Sequence, residues 1–134
     1  MARNKSTTLT VVELEFMQIV WSGGEVATED VQKALSEKDR HLPDGAIRRV
    51  LAILMEKGYL ARRRQGVGYT YQAKVPKESA YGSIFRDLLN RAFGGSGSLM
   101  IASFLDTMDI NKDEMEQIKQ LIEDRERGEE DGKC

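Results

Sequence analysis

The stretch Leu42 to Tyr71, LPDGAIRRVLAILMEKGYLARRRQGVGYTY, constrains this chain more than any other. Ile47, Val50, Leu51, Leu54 and Met55 recur at i, i+3, i+4, i+7 and i+8, which buries one stripe of a helix. Asp44, behind Pro43, is placed to cap that helix, and Gly58 follows its last turn as a terminating glycine. Arg48, Arg49 and Ala52 fall off the stripe and face outward. Tyr59 to Arg64 and Tyr69 to Lys74 then read as strands. The link Gln65-Gly66-Val67-Gly68 offers glycine for the positive φ of a tight hairpin. A helix able to enter a groove thus runs directly into a ribbon carrying Arg62, Arg63 and Arg64.

Upstream, Thr10 and Glu13 make a capping box, with Leu9 and Leu14 as the hydrophobic staple around it. The helix they open turns Leu14, Met17, Val20 and Trp21 inward and stops at Gly23-Gly24. Glu25-Val26-Ala27 reads as a short extended link. Thr28 is placed to cap a second helix, Glu29 and Asp30 suit its positive end, and Val31, Ala34 and Leu35 form its stripe. Three helices and a hairpin within residues 1–75 predict a winged helix-turn-helix domain, ending where Pro76 disfavours helix at Val75.

Residues 76–127 carry three further helical patterns. Tyr81, Ile84, Phe85, Leu88 and Ala92 set the first, which stops at Gly94-Gly95. Leu99, Ile101, Phe104, Leu105 and Met108 set the second, capped by Ser96 or Ser98. Asn111 with Glu114 opens the third, which carries Met115, Ile118, Leu121 and Ile122. Three short helices bury too little surface to stand alone, so these stripes predict a dimerisation domain whose core a second copy completes. The tail, residues 128–134, is expected to be disordered. The fold class is mainly α with a small β-hairpin.

The net charge of −2 hides an asymmetry. Residues 1–75 hold 12 Lys and Arg against 9 Asp and Glu, whereas residues 76–134 hold 8 against 13. Over residues 40–75 the balance is 8 basic to 2 acidic, so positive charge is concentrated on the helix and hairpin. The apolar windows are amphipathic and broken by charge, and none approaches the ~20 residues of a membrane span. The start, MARNKSTTLT, lacks the apolar core of a secretory signal. One cysteine, Cys134, leaves no internal disulfide and fits a cytoplasmic chain. His41 stands alone without a cluster of ligand residues, so no metal or other cofactor is expected. Phosphate-loop, hydrolase and zinc-protease motifs do not occur, and an enzyme is the least supported class. Strand alternation puts Arg63 opposite Arg62 and Arg64, and Tyr69 and Tyr71 are read as core.

Together, LTVVELEFMQIVW, AIRRVLAILMEKGYL, GVGYTYQAKV, FRDLLNRAFGGSGSLMIASFLD and NKDEMEQIKQLIED give the chain its affinities. In order and spacing it resembles the penicillinase-repressor family, which includes the methicillin-resistance and copper-responsive repressors. The resemblance spans roughly Leu9 to Arg127 and implies a homodimeric bacterial transcriptional repressor on a palindromic operator. By position it implies a base-reading face of Gly45, Ala46, Arg48, Arg49 and Ala52, and a wing of Arg62, Arg63, Arg64 and Gln65 up to Tyr69. Its dimer would be built on Ile84, Phe85, Leu88, Leu99, Phe104, Leu105, Met115, Ile118, Leu121 and Ile122. Threonines or basic residues are frequent in the family where this chain has Gly45, Ala46 and Ala52, so no known operator is carried over. In the antibiotic-responsive branch a membrane sensor triggers cleavage of an Asn-Phe bond; the matching pair, and candidate cleavage site, is Ser103-Phe104. The C-x-C motifs of the copper branch are absent. Two alternatives stay open: a winged-helix regulator gated by a small ligand, and a winged-helix protein-interaction module without DNA binding.

Overall fold

The computed structural model describes residues 8–132, with side chains as far as residue 129, so Cys134 lies outside it. The elements run α1 (Val11–Gly23), β1 (Glu25–Ala27), α2 (Thr28–Glu37), α3 (Asp44–Glu56), β2 (Leu60–Gln65), β3 (Gly68–Ala73), α4 (Lys77–Phe93), α5 (Gly97–Thr107) and α6 (Lys112–Gly132). They divide into two compact units, Met1–Leu88 and Leu89–Cys134. The first is a winged helix, with an antiparallel sheet of strand order β1-β3-β2. Glu25-Val26-Ala27 is therefore a strand rather than a link, paired with Thr70 to Gln72.

Helix α1 begins as its sequence dictates. Glu13 N donates to Thr10 Oγ1 at 3.2 Å, and Thr10 N donates back to Glu13 Oε1 at 3.0 Å. The expected inward stripe is incomplete, however. Leu14 and Trp21 are half-buried, while Phe16 and Ile19 join Met17 and Val20 in the core. The reason is position, since α1 packs against α2, α3, β1 and β3 and is covered on more than one side.

Two expected caps are placed differently. The N-cap of α2 is Ala27, whose backbone N donates to Asp30 Oδ2 at 2.9 Å, so Thr28 is the first helical residue. The N-cap of α3 is Pro43, and Asp44 turns instead to Arg48 Nε at 2.8 Å. Lying in the first turn rather than at the cap, the Asp44 carboxylate pairs with Arg48 and still faces the positive helix end.

The ends of α2 and α3 determine where the chain goes next. Asp39 closes α2 at φ 63°, with Arg40 N donating to Leu35 O at 2.8 Å. Arg40 then grips Glu15 of α1 through Nε and Nη2 at 3.0 and 2.9 Å, which fixes the loop leading into α3. Gly58, at φ 86°, ends α3 in a Schellman motif: Gly58 N donates to Met55 O and Tyr59 N to Leu54 O. Tyr59 and Leu54 are both buried, and the turn aims β2 away from the helix. Gly66, at φ 61°, occupies the first central position of the two-residue turn between Gln65 and Gly68.

The corner joining α1 to α3 is ionic. Lys57, the C-cap residue of α3, donates through Nζ to Glu13 Oε1 at 2.7 Å and to Thr8 O at 3.1 Å. Their side chains are only 12% and 9% exposed, so the pair is close to fully desolvated.

The first unit continues past the Val75-Pro76 break read from the sequence. Trp21 Nε1 donates to Val75 O at 3.0 Å, Gln18 Nε2 reaches Tyr81 Oη at 2.9 Å, and the Trp21 and Tyr81 rings meet edge-on at 6.1 Å. Ala80 is buried, so the first turns of α4 complete this core and carry it to Leu88. In the second unit Ser96 caps α5, accepting from Leu99 N at 3.1 Å. Asn111 caps α6, accepting from Glu114 N at 2.8 Å. Instead of ending before a disordered tail at residue 128, α6 runs to Gly132, with Arg127 paired to Asp124 and Arg125 lying 3.9 Å from Glu129. Among the described residues, none from 89 to 129 is buried.

Glu13→Gln keeps the capping bond but strips the charge from Lys57's partner. Urea unfolding should show a loss of about 3 kcal/mol, the scale for an orphaned buried ion. The pair Glu13→Leu with Lys57→Met should recover most of this, leaving about 1 kcal/mol for the lost cap. Equal losses in the two variants would show that the charges are not what matters.

Candidate nucleic-acid interface

A groove of about 440 Å³ separates the outer face of α3 from the wing formed by β2 and β3. Arg48, Ala52 and Met55 line its helical wall. Arg62, Gln65, Tyr69 and Tyr71 line the wall of the wing, and Ala27, Thr28 and Glu29 at the start of α2 close one end. Arginines far apart in sequence therefore share one concave surface.

Strand register explains the arrangement. Arg62 stands opposite Tyr71 and Arg64 opposite Tyr69, so these four share a sheet face with Leu60 and Val26. Leu60, Val26 and Tyr71 are buried on that face, and beyond them it emerges into solvent carrying Arg62 and Arg64. Tyr69 is 37% exposed rather than core, with the Arg62 guanidinium 4.0 Å above its ring. The ring supports the guanidinium, a contact contributing on the order of 0.5–1 kcal/mol at an exposed site. Sequence reading missed this role because alternation assigns a face, not the depth at which that face meets water.

On α3, Gly45, Arg48, Arg49 and Ala52 are exposed and Ala46 is half-buried. A Cβ at Gly45 would meet nothing within 4 Å, so packing does not require glycine there. Arg48 is held by Asp44 with both side chains well exposed, an ion pair worth little and readily exchanged. Arg49 and Arg64 form no ion pair among the described residues. Gln65 lies at the rim beside the Gly66 turn.

Arg63, named with Arg62 and Arg64 in the expected wing, lies on the other face of the sheet, where strand alternation puts it. It stands opposite Thr70, and its Nη2 donates to Glu25 Oε1 at 2.9 Å. Thr70 Oγ1 donates to Glu25 Oε2 at 2.6 Å. Register thus keeps Arg63 out of the groove, and its guanidinium is paired with a carboxylate that Thr70 anchors. The Thr70 hydroxyl first, and then the Arg63 charge, hold the Glu25 carboxyl below the usual carboxylate range, against partial burial acting in the opposite sense.

Ser103 is half-buried and Phe104 is 41% exposed, both inside α5. Cutting between them requires that helix to open. Phe85, Leu88, Leu99, Phe104, Leu105, Leu121 and Ile122 are exposed, and Ile84, Met115 and Ile118 are half-buried. Among the described residues no three His, Cys, Asp or Glu side chains gather as metal ligands, and no helix is long and apolar enough to cross a membrane.

The profile of the penicillinase repressor family matches residues 9–124. The chain belongs to the penicillinase repressor family. Members of that family are DNA-binding transcriptional repressors, not enzymes. An uncharacterized 16.5 kDa protein of Latilactobacillus sakei is 30% identical, over 91% of this chain and 82% of that one. The penicillinase repressor of Bacillus licheniformis is 26% identical, over 84% of this chain and 87% of its own. A solved structure described as the complex structure of hsRosR-S1 superposes with a TM-score of 0.52. It covers 90% of this chain and 94% of its own at 13% identity, a likeness of fold alone.

Because the folded-state value of Glu25 is lowered, its contribution to stability is present above the ordinary carboxylate range and fades as pH falls through the lowered value. In an NMR titration of the Glu25 carboxyl, Thr70→Val should move the midpoint upward. An unmoved midpoint would show that the hydroxyl is not the cause.

Proposed function

We propose that this chain is a homodimeric repressor that binds a palindromic operator, reading bases with α3 and gripping the neighbouring backbone with the β2–β3 wing. The observation that carries this reading is the groove, with Arg48 on one wall and the Tyr69-supported Arg62 on the other. A helix face at one wall and a cationic ribbon at the other match a duplex, in which a phosphate strand separates the grooves they would enter. Arg48 and Arg49 are the base-reading arginines, able to bond bidentately to guanine. Arg62 and Arg64 are phosphate contacts. Such a chain acts where the chromosome is, in the cytoplasm.

The dimer rests on the second unit. Leu99, Ile101, Phe104, Leu105, Met108, Leu121 and Ile122 are all 39% exposed or more, a density of apolar surface that signals an interaction site. A second copy offers the same surface in return, and two-fold symmetry would set two α3 helices about 10 bp apart or a multiple of it. The antibiotic-responsive branch offers a membrane sensor protease as the inducing partner, acting at Ser103-Phe104 once α5 opens.

Duplexes selected from a random library by the wild-type protein supply the probe. Arg48→Ala and Arg49→Ala should lower affinity for the selected duplex by about 1–3 kcal/mol and barely alter binding to random sequence. Arg64→Ala should weaken binding to every sequence and reduce the salt slope by about one unit. If Arg48→Ala weakens both duplexes by one factor, base reading is assigned to the wrong residue.

Sedimentation should find a dimer at micromolar concentration. Leu121→Glu with Ile122→Glu should split it and weaken binding to the selected duplex by a factor of about 100 or more, because the tether between two half-site contacts is lost. A wild-type monomer, or a split dimer with undiminished affinity, would overturn this arrangement.

A further inference from the structure

We infer that Glu25 raises specificity by cancelling the charge of Arg63, which strand register already places on the outer face of the wing, so that only Arg62 and Arg64 are offered to phosphate uncompensated. This rests on the proposed role of the wing. Glu25 comes from β1, at the far edge of the sheet, and reaches across β3 to take Arg63 of β2 at 2.9 Å. Thr70, on the intervening strand, fixes the second carboxylate oxygen at 2.6 Å, so the acceptor is oriented before the arginine arrives. Glu25, Thr70 and Arg63 share the face opposite Arg62, Arg64 and Tyr69.

The consequence is electrostatic. Each phosphate contact adds about 0.9 to the salt slope and strengthens binding to any sequence alike. A repressor gains nothing from a contact that stabilises every competing site equally, because the ratio of operator to non-specific affinity is what counts. A third free wing arginine would raise the background. Glu25 withholds it.

Affinity for a random-sequence duplex of about 30 bp, measured in full-length protein between 50 and 200 mM salt, tests this. Glu25→Gln should tighten binding at low salt and steepen the slope by about 0.9, an extra loss of roughly threefold across that range. Arg63→Ala should leave the slope at its wild-type value, and Glu25→Gln with Arg63→Ala should return to it. Thr70→Val, which leaves the carboxylate in place but loosens it, should fall between wild type and Glu25→Gln. If the double variant keeps the steeper slope, the carboxylate itself repels DNA and Arg63 is not its object. An unchanged slope in Glu25→Gln, with Arg64→Ala still lowering it, overturns the inference alone. No effect of Arg64→Ala overturns the reading of the wing beneath it.

Discussion

Glu13 is the residue on which the placement of α3 and the β2–β3 wing depends. One carboxylate oxygen closes the capping box of α1 and accepts Lys57 Nζ, while the same ammonium also binds Thr8 O. The carboxylate lies at the positive end of α1 and the ammonium at the negative end of α3, so each also answers a helix dipole. Breaking a desolvated ion pair with shared hydrogen bonds costs about 3–5 kcal/mol. The pair therefore ties the end of α3 to the start of α1 in one register. The Gly58 turn follows within one residue, and its buried Tyr59 passes that register on to β2.

With the frame fixed, the groove needs little conformational change to work. Arg48 is paired with an exposed partner at i−4, and the Arg62 guanidinium sits 4.0 Å from the centre of the Tyr69 ring. Both side chains have already lost part of their rotamer freedom, which lowers the entropy that binding would otherwise cost. Neither partner holds tightly: an exposed ion pair and an exposed ring contact each contribute at most about 1 kcal/mol. The arrangement orders the arginines without competing with the ligand.

What was legible in the sequence was local. The capping box at Thr10, the apolar stripe of α3, the glycines at positions 58 and 66 and the caps at Ser96 and Asn111 are each encoded within a few residues. What escaped depends on residues far apart. β1 is a strand only because β3 pairs with it, and Arg63 is ion-paired only because Glu25, 38 positions away, accepts it. Phe16 and Ile19 join the core because α1 is wrapped by neighbours that a helical wheel does not show. The first unit outruns its proline because Trp21 and Tyr81 meet across it. Asp44 shows the converse, a local rule overturned by another local partner four residues on.

The charge distribution ties these features together. A chain of net charge −2 has no general attraction for a polyanion, and residues 76–134 carry 13 acidic groups against 8 basic. Positive charge is concentrated over residues 40–75, and within the wing Glu25 pairs with Arg63. In the proposed dimer each half-site contact is weak, and affinity comes from matching bases and from presenting two grooves at once. The same logic accounts for apolar helices left uncovered in a single chain. A repressor whose half-sites bound tightly alone would gain nothing from pairing, whereas one built from weak, neutralised half-sites binds only as a pair. In the proposed dimer, release would follow from whatever separates the two copies, without any change in the residues proposed to touch DNA.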